Sequence, residues 1–128
     1  MAKAKNTCAM QQKFYNQGNA TNKAYVVTLS LKSGIYSAST IRTGDMAYHR
    51  SRHNAVVMPN GKILVIGGNP YIEFTLSSEA DSTLVPEIWD PKTGRFTKVK
   101  SHRVFRNYHS TAVLLRDGRI MSAGGEHF

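Results

Sequence analysis

Cysteine is almost missing: Cys8 stands alone among 128 residues. One thiol can form no internal disulfide and no zinc knuckle, so the fold must be held by packing rather than by cross-links. No apolar run approaches the roughly 18 residues that span a bilayer as a helix, and the N-terminus has no apolar core of the kind a signal peptide carries. Neither a membrane partner nor a signal peptide is therefore read in this chain. Acidic residues are also few. Eight Asp and Glu face 17 Lys and Arg, and only Asp45 of the eight falls within the first 52 residues. A basic excess of this kind can favour a polyanion. Lys3, Lys5, Lys13, Lys23 and Lys32 nevertheless form no dense run and have no aromatic platform around them, so nucleic acid is not an expected partner.

What is present is alternation and turns, over a length that suits one domain. Residues 1–22 show no sustained period and read as an N-terminal loop segment. From residue 23 the stretch "KAYVVTLSLKSGIYSAS" places β-branched and aromatic residues around Lys32-Ser33-Gly34, which predicts two strands over 23–40. Further on, Asn60-Gly61, Asp90-Pro91 with Gly94, and Asp117-Gly118 each separate two short apolar runs, and no segment keeps a 3.6-residue period. The fold class expected is all-β, with antiparallel strands.

The runs also repeat. Gly61, Gly67 and Gly68 recur as Gly118, Gly124 and Gly125 at an offset of 57, whereas Arg50-x-x-His53 recurs as Arg106-x-x-His109 at an offset of 56. The mismatch requires a bulge or a longer turn in the second copy; one extra residue between His109 and Gly118 would supply a bulge. A period slightly above 50 with a Gly-Gly after the second strand and a later aromatic pair, here Trp89 and Phe96, is the pattern of a kelch-type β-propeller blade built as a four-stranded antiparallel sheet. On that basis residues 23–128 are a partial propeller of about two blades. Residues 23–40 are outer strands of one blade, 53–99 a full blade, and 110–123 the inner strands of the next. A propeller closes on 4 to 8 blades, so the chain is expected to be a fragment that meets remaining blades or to self-associate.

Several polar residues are candidates for chemistry. His109 beside Tyr108, at the start of an inner strand, either faces a central channel as a metal ligand or caps the strand through backbone hydrogen bonds. Adjacent residues of a regular strand point to opposite faces, so a metal bound by both requires an irregular backbone there. Tyr48-His49 repeats the dipeptide but precedes Arg50, and reads as loop. His49 and His53 have the spacing of a helical zinc site, yet the segment runs into a strand and offers no helical face. The 17 residues between Gly68 and Pro86 exceed a hairpin loop and suit a site-lining loop.

"RNYHSTAVLLRDGRIMSAGG", residues 106–125, resembles the Arg-x-Tyr-His-Ser…Asp-Gly-Arg…Gly-Gly segment of the copper radical oxidases, the galactose oxidase and glyoxal oxidase family. The likeness extends to "VPEIWDPKTGRF", to "RSRHNAVVMPNGKILVIGG" and more faintly to "FYNQGNATNKAYVVTL". The resemblance implies a mononuclear copper with Tyr108 as axial and His109 as equatorial ligand, and Tyr108 as the catalytic group that accepts the substrate proton. It implies oxidation of a primary alcohol or aldehyde, carbohydrate substrates included, with O2 reduced to H2O2. It also implies substrate-pocket positions near Phe74 and Tyr15 and an extracellular location. The family's Cys-Tyr radical cofactor and its remaining histidine ligand are expected outside this chain, since Cys8 follows the expected cysteine position; the isolated chain is then inactive. His127 reads as a terminal residue, and Arg116 replaces a proline usual in that turn. The alternative is a non-catalytic propeller module that binds a glycan or a protein.

Overall fold

The computed structural model describes residues 5–6, 19–70 and 83–125. Among the described residues, nine strands fall into three antiparallel sheets. The first sheet holds β1 (Lys5–Asn6), β2 (Tyr25–Lys32) and β3 (Ile35–Arg42); the middle sheet holds β4 (Asn54–Val57), β5 (Ile63–Ile66), β6 (Glu87–Asp90) and β7 (Arg95–Lys98), in that order; the third pairs β8 (Ser110–Leu114) with β9 (Ile120–Gly124). The all-β antiparallel expectation is met. One detail departs from it: Lys5–Asn6 pair with β2 inside the segment read as loop, and two residues are too few to show an alternating pattern.

The turn residues explain the hairpins. Ser33 and Gly34 both have positive φ, 50° and 78°, which is the two-residue turn whose twist matches flanking strands. Asn60-Gly61 and Asp117-Gly118 build a longer turn twice over. In each, the Gly N–H donates to a carbonyl three residues back, Met58 at 2.9 Å and Leu115 at 3.0 Å, and the glycine takes the left-handed conformation that follows a type I turn. Arg116 sits where Pro59 sits in the first copy, exposed in a turn that closes with the same hydrogen bonds.

β5 is buried at all four positions, Ile63 through Ile66. Successive side chains point to opposite faces, so a fully buried strand must be covered on both. The first sheet lies on one side: Trp89, directly opposite Phe96 in the β6–β7 register, donates its indole N–H to Thr43 Oγ1 at 2.9 Å, and that hydroxyl donates to the Gly94 carbonyl at 2.8 Å. The third sheet lies on the other side, where Asn54 of β4 reaches Ser110 of β8. Burying these aliphatic side chains contributes about 1.5–3 kcal/mol each.

One buried ion pair ties the loops to this core. Arg50 and Glu87 are 2% and 1% exposed and meet at 3.0 Å. Arg50 also donates to the carbonyls of Gly67 and Val85, and Glu87 accepts from the Ala47 and Tyr48 N–H groups. Burial pulls the guanidinium below its ordinary value, opposed by Glu87.

Candidate metal centre

Between the middle and third sheets the chain runs through Phe105, buried, to a tight turn at residues 107–110. Arg106 anchors its start: its carbonyl accepts from Gly68 N–H at 2.7 Å, and its guanidinium donates to the Gly124 carbonyl at 2.6 Å. The turn closes where Ser110 N–H donates to the Asn107 carbonyl at 3.1 Å, leaving Tyr108 and His109 as its two central residues. His109 has φ of 59°, at the turn position that needs positive φ in a type II geometry.

This conformation puts both side chains on one side. The Tyr108 and His109 rings stack with centroids 3.7 Å apart and planes 28° apart, Tyr108 half-buried and His109 exposed. The backbone irregularity required for two neighbouring residues to face one site is therefore present. Its position differs from the expectation. The strand register pairs Asn54 with Ile66 and Thr111 with Ala123, both at an offset of 57, so β8 carries no bulge relative to β4. Arg50 and Arg106, at an offset of 56, make the same hydrogen bond to the carbonyl of the first glycine of each Gly-Gly. The extra residue thus lies upstream of His109, in the 107–110 turn, because a turn accommodates an insertion without breaking the ladder. His109 consequently matches Arg52, not His53, and Arg52 is left-handed too, with φ of 53°.

Arg52 is a residue sequence reasoning missed. Its guanidinium carbon lies 4.7 Å from the Tyr108 ring centroid. Asn54 was missed as well; its amide donates to Ser110 Oγ at 3.1 Å and approaches the Ser110 carbonyl at 3.3 Å. The only available signal was the 57-residue offset that relates Arg52 to His109. Beside the pair, Asn107 is 1% exposed, and neither polar atom of its amide has a partner among the described residues.

The other candidates fall elsewhere. His53 is largely buried against Gly68, and desolvation, with help from the Arg50 charge, lowers its pKa to about 4. Tyr48 lies between Lys98 and Arg50, 4.9 and 5.7 Å from its ring centroid, and His49 Nδ1 pairs with the Ala20 carbonyl at 2.7 Å, both in loop as expected. Tyr15, Phe74, Cys8 and His127 lie outside the described residues. A cleft of about 680 Å³ opens between the first and middle sheets, lined by Val26, Ile41, Ile63 and Trp89, and shares no residue with the Tyr108–His109 turn. No group of three or more His, Cys, Asp or Glu side chains converges among the described residues. Tyr108 and His109 can accordingly offer a phenol oxygen and an imidazole nitrogen as part of a donor set.

Comparison with known proteins gives a match to the glyoxal oxidase N-terminus family over residues 7–127. The chain belongs to that family. As a glyoxal oxidase N-terminus member it is 30% identical over 112 residues to a galactose oxidase of Gibberella zeae, covering 87% of this chain and 16% of that protein. It is 32% identical over 83 residues to the aldehyde oxidase GLOX of Vitis pseudoreticulata, covering 62% of the chain and 16% of that protein. The chain thus spans about a sixth of the length of these relatives. Among solved structures it resembles a fungal alcohol oxidase of the AA5 family in complex with copper, with 40% identity and a TM-score of 0.76 over 87% of this chain and 22% of that one. The three sheets of this glyoxal oxidase N-terminus member are therefore parts of β-propeller blades.

Proposed function

We propose that the chain supplies part of the copper site of a galactose oxidase-like enzyme that oxidises a primary alcohol or an aldehyde and reduces O2 to H2O2. Tyr108 and His109 are two of the copper ligands in this reading. The observation that carries it is the left-handed His109, which brings phenol and imidazole to one side of a turn in a family whose solved neighbour holds copper. The donor chemistry fits: imidazole suits Cu(II), and a phenolate adds a hard oxygen. Copper, when bound, would take up one electron per turnover. Two electrons and two protons leave the alcohol, and O2 accepts both pairs; the second electron would be taken by a Cys-Tyr radical group, which in this reading is supplied from outside this chain. Tyr108 has its own task, since a phenolate oxygen within hydrogen-bond reach of the substrate hydroxyl accepts its proton. The substrate pocket near Phe74 and Tyr15, and an extracellular setting, belong to the same proposal.

The test uses the intact, copper-loaded protein with His109→Ala and Tyr108→Phe. Metal content should fall in the first variant and peroxide production should be lost in both, with either galactose or a small aldehyde as substrate. His53→Ala should change stability while copper content stays. Full copper content and turnover in His109→Ala would falsify the assignment and return the pair to a strand-capping role, as in a propeller that only binds glycans or proteins.

A further inference from the structure

We infer that Arg52 and Asn54 are positioning residues that hold the Tyr108–His109 turn from the neighbouring blade. This rests on the copper reading of that turn. The two residues stand at the start of β4, and each grips a different part of the turn next door. Arg52 lays its guanidinium over the Tyr108 ring at 4.7 Å, while the Tyr108 ring stacks on His109 at 3.7 Å. Asn54 donates to the hydroxyl of Ser110, the residue that closes the turn.

Geometry makes the arrangement more than surface packing. Arg52 occupies in its own blade the left-handed position that His109 occupies in the next, 57 residues on. A left-handed residue ahead of an inner strand aims its side chain away from the direction a regular strand would give. The first blade therefore directs a cation where the second directs an imidazole, and the cation ends on the phenol beside that imidazole. Rotation of Tyr108 about its Cα–Cβ bond would break the guanidinium contact and the imidazole stack together. Arg106 fixes the far end of the same turn through Gly68 N–H and the Gly124 carbonyl. With both ends held and one ring covered, the phenol oxygen has a set direction before any metal arrives. Residues that orient ligands in this way tune affinity and ligand geometry without touching the metal.

The experiment compares Arg52→Met, Arg52→Lys, Asn54→Ala and Tyr108→Phe in the intact protein. Cu(II) affinity is read by chelator competition, ligation by the phenolate-to-copper absorption band, and folding by thermal unfolding. Arg52→Met should weaken copper binding roughly tenfold or more and shift the absorption band. Arg52→Lys should recover most of both, because an ammonium also sits favourably over an aromatic ring. Asn54→Ala should shift the affinity in the same direction. Loss of the band in Tyr108→Phe with wild-type affinity and band in Arg52→Met overturns the positioning role and leaves the copper reading in place. An unchanged band in Tyr108→Phe overturns both. Should Arg52→Met not fold, Asn54→Ala decides: weakened affinity supports the inference, and wild-type affinity overturns it.

Discussion

His53 is the residue whose burial has the clearest cost. Its ring is largely enclosed, its Nδ1 has no hydrogen-bond partner among the described residues, and the charge of Arg50 lies nearby. Desolvation first, and that charge second, hold its pKa down at about 4 against an ordinary 6.5. A histidine depressed in the folded state is protonated more readily in the unfolded chain. Stability is then complete above the unfolded value and is lost as pH falls from 6.5 towards 4, below which the loss is fully expressed. The amount is about 3 kcal/mol at most. Asp90 and Asp117 are held below the usual carboxylate range, by Lys62 and Arg119 respectively, so their own losses begin at lower pH. Denaturant midpoints measured between pH 7 and 4 should therefore decline in the wild type, and the decline should flatten in His53→Gln. An equal decline in both would remove His53 as its source.

At the level of the element, the hairpins and the junctions between sheets use glycine for different reasons. Gly61 and Gly118 sit in open turns with φ of 77° and 85°, and a Cβ there would meet nothing within 4 Å. Gly67 has similar φ, 73°, but a Cβ would fall on the Arg106 carbonyl oxygen, in the segment that leads to the third sheet. Alanine at Gly118 should cost about 1 kcal/mol from the backbone conformation alone. Alanine at Gly67 should cost about 3 kcal/mol or more, because overpacking adds to it. Equal costs in chemical denaturation would mean that Gly67 and the Arg106 segment are not in contact. This difference also explains what the sequence carries. Asn-Gly and Asp-Gly declare their turns, because a left-handed residue in a hairpin is almost always glycine, and the apolar runs declare their strands. Arg52 and His109 are left-handed without being glycine, and nothing in their identity says so. The repeat arithmetic located an extra residue but placed it after His109, because matching His53 to His109 pushes the insertion downstream, whereas the left-handed Arg52 is the residue that matches His109. The Tyr108–His109 pair stands out in the sequence as a dipeptide, whereas the contacts that hold its turn, Arg52 on the Tyr108 ring and Asn54 on Ser110, cross between sheets and exist only once the sheets are stacked.

For the whole molecule, coverage decides behaviour. The middle sheet is clad on both faces and provides the buried β5, but the sheets on either side of it expose apolar strands. In β3, Ile35, Tyr36 and Ile41 are 72%, 75% and 67% exposed, and since residues 35 and 36 point to opposite faces, both sides of that strand are apolar and open. In β8 and β9, Val113, Leu114 and Met121 are exposed as well. Soluble monomers rarely show contiguous apolar surface of this kind, and strands with open edges pair readily with other chains. The 128-residue chain on its own should accordingly self-associate and bind a hydrophobic dye. Light scattering should show mass rising with concentration, and Tyr36→Lys combined with Ile35→Lys should reduce it, because each lysine charges a different face of the same edge strand. A wild-type chain that stays monomeric, melts in one sharp transition and binds no dye would show that these faces are closed by a packing other than the one described. Copper is not expected to rescue the assembly, since Tyr108 and His109 stand at the junction of the middle and third sheets and leave β3 uncovered.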